Sequence, residues 1–352
     1  MRLLHAGHDA RREGAPAREP VAERARGPRG IVRQSVPLHG LHEDRRGRPG
    51  GCGVEVGVRL HPFRLLEPES LPEAIETLGR LDGESRLVAG GTALVAMIRL
   101  GLVKPDRLVS LHRVPGLNRI RVDGGSLELG AMATHADIER SRTVRDGWPL
   151  LAEAVHRVAT PAIRTSGTIG GNLAYAEAAS DPAPALLCLN AEARVLGPGG
   201  ERAVPLARFF RGFYEAALEP GEIVTAVRVP PPPAGARGGY VKFTSRSAED
   251  KPLVGVAALV VLDGAGRCVE ARIGLGGSAP TPVRADRAER ALRGEALTDA
   301  AARAAAEAAA GEADPLSDLM GSADYRREMI RVWARRLLIA LRDGTALRDG
   351  TR

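Results

Sequence analysis

The sequence predicts an α+β protein with two ordered regions behind an irregular N-terminal extension. Three observations lead there. Composition changes near residue 57: the stretch before it is rich in Arg, Gly and Pro and has no apolar periodicity. From His61 to Pro230, short helical and strand patterns alternate. The stiff break "PPPPAGARGG" (230–239) follows, and beyond it strands come first and helices last.

Residues 1–57 carry eleven arginines, seven acidic residues and four of the eight histidines, His5, His8, His39 and His42. Those histidines lack the regular spacing of a metal site, and a disordered extension is expected. An alternative is translated upstream sequence with the native start near Val56 or Val58. "GCGVEVG" (51–57) imitates a nucleotide loop, but no strand precedes it and "RLHPF" cannot open a helix.

"SLPEAIETLGRL" reads as a helix with Ser70 as N-cap, Pro72 in the first turn and Glu73 completing a capping box. "RLVAGG" (86–91) reads as a buried strand ending in glycines, and "TALVAMIRLGLV" (92–103) as a helix starting at Thr92. "LVSL" (108–111) and "SLELGA" (126–131) are strands; "THADIERS" (134–141) and "PLLAEAVHRVA" (149–159) are helical, with His135 placed to cap the first. A hairpin is expected at 193–206 around Gly-Pro-Gly-Gly, and a strand at 222–230. After the proline break come about three strands, with a turn at Asp263-Gly264, and then three helices. The last has an apolar stripe of Met329, Val332, Trp333, Leu337 and Leu341 at helical spacing, which reads as core.

The totals exclude several classes. The net charge is +7, yet only Lys104, Lys242 and Lys251 among fifty basic residues are lysines. Aromatics are 3% of the chain, and no stretch interleaves them with basic residues as single-strand binders do. Nucleic-acid binding is therefore not expected. Cys52, Cys188 and Cys268 lie far apart and cannot supply an iron–sulfur cluster or a disulfide framework. A reducing, cytoplasmic location is expected. The longest apolar run, 253–262, is too short to span a bilayer, and no apolar segment follows Arg11-Arg12 as an export signal requires.

Two glycine segments call for a chemical reason. Ala89-Gly90-Gly91-Thr92 lies between a strand and a helix, where amides without a Cβ nearby can cradle an anion. Thr168-Ile169-Gly170-Gly171-Asn172 reads as a tight turn with further bare amides and a side-chain amide. Asp181, nine residues on, can hold a ribose hydroxyl. Together they point to a dinucleotide with a pyrophosphate. Neither segment fits GxGxxG after the first strand or GxxxxGK[ST], which disfavours Rossmann and P-loop enzymes.

"LVAGGTAL" followed by "IRTSGTIGGNLAYAEAASDPAPALL" resembles the FAD-binding medium subunit of molybdenum hydroxylases, the carbon monoxide dehydrogenase, xanthine dehydrogenase and aldehyde oxidoreductase type. The resemblance runs from about Phe63 to Arg342 and takes in "GEIVTAVRVP", "YVKFTSRSAEDKPLVGVAA" and "GSADYRREMIRVWARR". It implies a two-part FAD-binding domain of the vanillyl-alcohol oxidase (PCMH) class at 58–232, divided into 58–115 and 116–232. A small C-terminal α+β domain of the CO dehydrogenase flavoprotein type would occupy 238–344.

By the same resemblance, Arg86, Leu87, Val88, Ala89, Gly90, Gly91, Thr92 and Ala93 would wrap the FAD pyrophosphate from one side. Thr168, Gly170, Gly171 and Asn172 would hold it from the other. Ala159 would lie along the flavin, Asp181 would bind ribose, Ile223 would back the adenine or ring system, and Lys242 would approach the isoalloxazine. Plainer readings stand beside these: a strand-surface Lys242, a core Ile223, and an Asp181 that caps or turns the chain before Pro182. Two departures are present. Lys251 and Pro252 stand where many members have an aromatic close after "SR", and Thr165 stands where an Asn is common.

The family's chemistry implies electron transfer, since the flavin supplies the redox step and the protein positions it. Partners would be a large molybdopterin-binding subunit and a small iron–sulfur subunit, as a heterotrimer or a dimer of heterotrimers. The final acceptor would be NAD, a quinone or another molecule. No catalytic base or metal ligand is required of this chain, so His112, His135 and His156 read as structural or surface residues. A self-sufficient flavin oxidase is the rival enzyme reading, though the matched loops offer no His or Cys as a flavin tether. A basic scaffold or nucleic-acid-binding protein is the non-enzyme rival.

Overall fold

The computed structural model describes residues 60–79, 85–345 and 347. The expectations for residues 1–57 therefore lie outside the described residues. The first layer is a parallel sheet of β1 (Arg64–Leu66), β3 (Arg107–Ser110) and β2 (Ser85–Val88), in the order β1-β3-β2. Its helices are α1 (Leu71–Gly79) and α2 (Leu94–Arg99). Ser70 Oγ accepts from Glu73 N at 3.3 Å as expected, but the Glu73 carboxylate accepts from Glu69 N at 2.8 Å, one residue before the cap, so the box closes outside Ser70. The helix expected over 92–103 is shorter. Gly91 at φ +71° delays its start, and Leu100 closes it ahead of Gly101, at φ +70°.

The second layer is an antiparallel sheet of β4 (Ile120–Asp123), β5 (Ser126–Gly130), β6 (Glu192–Gly197), β7 (Gly200–Pro205) and β10 (Ile223–Val229), ordered β4-β5-β10-β6-β7. The 193–206 hairpin forms as expected, with Gly197 paired to Gly200. Between β5 and β6 the chain makes six short helices: α3 (His135–Arg140), α4 (Arg142–Gly147), α5 (Pro149–His156), α6 (Pro161–Ser166), α7 (Ile169–Tyr175) and α8 (Pro182–Cys188). A small hairpin, β8 (Phe210–Gly212) with β9 (Glu215–Ala216), follows β7.

After the prolines, β11 (Arg237–Phe243), β12 (Val254–Leu262), β13 (Cys268–Gly276) and β14 (Val283–Arg284) form an antiparallel sheet in sequence order. It is followed by α9 (Asp286–Leu292), α10 (Asp299–Glu312) and α11 (Ala323–Asp343). The unbroken apolar run of β12 has a cause: both faces of the strand are covered. Ala257 and Leu259 join the core under the six short helices, while Val254, Val256, Ala258 and Val260 join the core beneath the C-terminal helices. The stripe on α11 is core as expected at four of its five positions, with Trp333, Leu337 and Leu341 buried and Met329 packed against them; Val332 is only partly buried and lies outside the cluster.

The sheets meet through a third apolar cluster of Ala74, Leu111, Val114, Leu117, Met132 and Ile223, with Leu87 and Ala89 against it. This cluster fixes the first glycine segment relative to the second sheet. Among the described residues no helix is long and apolar enough to cross a membrane.

Candidate functional site

The two glycine segments touch. A Cβ on Gly90 would lie 1.9 Å from the carbonyl oxygen of Ser166, at the end of α6. Only a glycine lets the loop after β2 press that closely on backbone. Gly91 is required for a different reason, its left-handed φ of +71°. Among the described residues, the amides of Gly90, Gly91, Thr92 and Ala93 donate no hydrogen bond to the protein. Four successive open donors on a loop shaped by two glycines form a cradle for an anion.

The second segment departs from the expected turn of bare amides. Its residues are the first turn of α7, capped by Thr168, whose Oγ1 accepts from Gly171 N at 3.2 Å. Ile169 N donates to Ala133 O and Gly170 N to Ala131 O, so these donors are already used. Gly170 is glycine because a Cβ there would meet Ala131 Cβ at 2.5 Å and its carbonyl oxygen at 2.8 Å. The open polar group of this segment is the Asn172 side-chain NH2. The Asn172 Oδ1 accepts from Ser180 Oγ at 2.7 Å.

Around this contact the backbone is tightly fixed. His135 N donates to Gly167 O, and Thr134 bridges Thr168. The cap of α3 is Thr134, in a capping box with Asp137, and not His135. The His135 ring is instead buried, close enough to Gly167 that a Cβ there would sit 3.1 Å from His135 Cδ2. Burial, with the charge of Arg164 adding to it, lowers its pKa to about 4. His156 is a surface residue, its Nδ1 2.6 Å from Glu139 Oε1. Ala159 has φ +38°, a conformation costly for a residue with a Cβ. Arg164 holds it there by donating to Val158 O at 2.9 Å and Ala159 O at 3.1 Å. Sequence reasoning did not single out Arg164, although it stands in "IRTSGTIGG".

Asp181 and Lys242 are brought together. Lys242 Nζ lies 3.1 Å from Asp181 Oδ2 and 2.8 Å from Arg157 O, and Tyr240 Oη donates to Asp181 Oδ1 at 2.7 Å. Both partners of the ion pair are buried, which removes the strand-surface reading of Lys242. Asp181 makes no side-chain cap to α8, which removes the capping reading. Burial raises the Asp181 pKa to about 6, against the pull of Lys242 and of the Tyr240 hydrogen bond. Ile223 is 1% exposed and sits in the cluster that carries Ala89.

Two clefts flank these residues. One of about 450 Å3 opens at Gly90 and Thr168, walled by His112, Arg113 and Asn118. The other, of about 440 Å3, lies between the loops at Glu177, Tyr214, Lys251 and Met320. There Lys251 pairs with Glu177 and stands 6.0 Å from the centre of the Tyr175 ring, which packs on Tyr214 at 5.0 Å. A tyrosine pair thus stands beside Lys251, the residue that follows "SR" where many members have an aromatic.

A loop of unbonded amides held against a second glycine segment, in a chain that ends in a small α+β domain, is the architecture of a flavoprotein of the two-part FAD-binding class. The description "FAD binding domain in molybdopterin dehydrogenase" matches residues 61–232, and "CO dehydrogenase flavoprotein C-terminal domain" matches 239–341. The chain is 35% identical over 276 residues to the 6-hydroxypseudooxynicotine dehydrogenase complex subunit alpha of Paenarthrobacter nicotinovorans, covering 78% of this chain and 93% of that one. It is 36% identical over 279 residues to the carbon monoxide dehydrogenase medium chain of Hydrogenophaga pseudoflava, covering 79% and 96%. A crystal structure of carbon monoxide dehydrogenase from the latter organism, lacking the Mo-pyranopterin moiety, superposes with a TM-score of 0.79 at 36% identity, over 82% of this chain and 99% of that one. The chain belongs to the FAD-binding medium-subunit family of molybdenum hydroxylases. Its cofactor is FAD, and it is a subunit of an oxidoreductase.

Proposed function

We propose that this chain is the electron-transfer subunit of a molybdenum hydroxylase-type complex. It receives electrons from the iron–sulfur clusters of a small partner and passes them through FAD to an acceptor such as NAD or a quinone. Substrate is oxidised on a large molybdopterin-binding partner, in a heterotrimer or a dimer of heterotrimers. The flavin domain is 58–232, in two parts meeting near residue 115, and the C-terminal domain is 238–344. Buried, unpaired Cys188 and Cys268 go with a reducing, cytoplasmic setting.

The observation that carries the reading is the set of four open amides from Gly90 to Ala93, which suits a pyrophosphate and has no other use in the fold. When bound, FAD would supply the redox chemistry that links the partners to the acceptor. The chain's residues position it. Arg86, Leu87, Val88, Ala89, Gly90, Gly91, Thr92 and Ala93 line one side of the pyrophosphate. Thr168, Gly170, Gly171 and Asn172 line the other, chiefly through the Asn172 amide. Ala159 would lie along the flavin, Asp181 would accept from a sugar hydroxyl, Ile223 would back the adenine or ring system, and Lys242, held by Asp181 and Arg157 O, would approach the isoalloxazine.

The test is to co-express the chain with its operon neighbours, record the visible spectrum and identify the released cofactor. Released FAD that is reduced by substrate only when the partners are present supports the reading. A folded, colourless protein that takes up no added FAD overturns it.

A further inference from the structure

Tyr240 lies on β11, beyond the proline break, yet its ring is packed into the core of the preceding domain. Its backbone is pinned from two directions. Tyr240 N donates to Glu153 Oε2 at 3.0 Å, and Lys242, two residues on and on the same face of the strand, donates to Arg157 O at 2.8 Å. Both acceptors belong to the α5 segment. With the strand so fixed, the phenol reaches across to α8 and its hydroxyl meets Asp181 Oδ1 at 2.7 Å.

A second residue accommodates that hydroxyl. Gly255 on β12 stands directly opposite Lys242 in the register. A Cβ on Gly255 would lie 2.6 Å from Tyr240 Oη and 3.4 Å from two ring carbons. Gly255 needs no left-handed backbone, since its φ is not among the positive ones. A glycine in the middle of a strand weakens it, and the space it leaves is filled by the Tyr240 hydroxyl.

Resting on the flavin reading above, we propose that Tyr240 is a positioning residue for FAD. Its hydroxyl fixes the Asp181 carboxylate beside Lys242, and Gly255 leaves room for it. Asp181 then presents a set orientation to the sugar hydroxyl it accepts from. The charged or titratable groups around the carboxylate are Lys242 and Tyr240 of β11 and Arg157 at the end of α5, with Glu153 of α5 facing Tyr240.

The experiment is FAD titration of the FAD-free full chain from pH 5 to 8, followed by flavin fluorescence. Wild type is compared with Tyr240→Phe, Gly255→Ala and the double variant, with circular dichroism as the fold control. Loss of a hydrogen bond to a carboxylate is worth roughly tenfold in affinity. Tyr240→Phe is expected to weaken FAD by about that factor. It also shifts the acid limb of the affinity profile to higher pH, because the carboxylate has lost a donor that favours its charged form. Gly255→Ala, by displacing the hydroxyl, produces the same two changes. The double variant is no worse than Tyr240→Phe alone, because the Phe ring has no hydroxyl for the new methyl to strike.

Wild-type affinity with an unshifted pH limb in a folded Tyr240→Phe overturns the role while leaving the flavin reading intact. So does a Tyr240→Phe that fails to fold, which makes the hydroxyl structural. Additive losses in the double variant count against the Gly255 assignment and the shared mechanism with it. A wild type that takes up no FAD removes the flavin reading itself.

Discussion

The two glycine segments look alike in sequence and do opposite things. At Ala89–Thr92 the glycines free the backbone: one permits contact with the Ser166 carbonyl, the other a left-handed turn, and four amides are left without partners. At Thr168–Asn172 the glycines bind the backbone in. Gly170 lets α7 sit on Ala131, and the amides of residues 169–171 are taken up by Ala133, Ala131 and Thr168. A Gly-Gly pair therefore does not by itself announce a ligand. What distinguishes the two is where the hydrogen bonds go, and that is a tertiary property.

The comparison is sharpest at Gly90. Gly90→Ala puts a methyl 1.9 Å from a carbonyl oxygen, which no rotamer can relieve. We expect about 3 kcal/mol of destabilisation and a loss of FAD affinity of roughly 100-fold, measured by titration. Wild-type affinity in that variant would erase the difference between the segments.

The second segment is expected to respond to acid where the first does not. His135 lies beside Gly167, and its folded-state pKa of about 4 is below its ordinary 6.5. The unfolded chain binds the proton first, so the stability is present above 6.5 and is lost as pH falls toward 4. About 3 kcal/mol is involved. Denaturant melts at pH 7 and pH 4.5 check this, and His135→Leu flattens that part of the curve.

Gly170→Ala should cost roughly 2 kcal/mol of stability even without FAD, because the clash is with Ala131 and not with a ligand. A variant that keeps its FAD-free stability but loses FAD would show that Gly170 serves the pyrophosphate it lines more than the packing on Ala131. Thr168→Ala, which removes the cap of α7, is the mildest at about 1 kcal/mol, with Thr168→Ser restoring most of it in a thermal melt.

Much of the framework was legible in the residues. The main strands of the C-terminal sheet, the α11 stripe and the 193–206 hairpin follow from apolar runs between turn signals, helical spacing and turn chemistry. The helices α6, α7 and α8 did not follow. Each has only six or seven residues, too few for a 3.6-residue period, and together they carry Pro161, Pro182, Pro184 and two glycines. Tertiary packing, with caps from Thr160 and Thr168, overrides that composition. At the site, the glycines and Asp181 drew notice by spacing. Tyr240 did not, because the partner that gives it meaning is 59 residues away in sequence.

The proline run at 230–233 divides the sequence more cleanly than it divides the physics. The carboxylate of Asp181 is buried between two helices' ends, and the hydroxyl and ammonium that make its burial tolerable arrive only with residues 240 and 242. A polypeptide made only as far as β10 holds Asp181 without either of these two partners. Its chemistry is completed from downstream. The linker therefore marks a pause in the chain, and the later domain acts as the counter-ion of the earlier one.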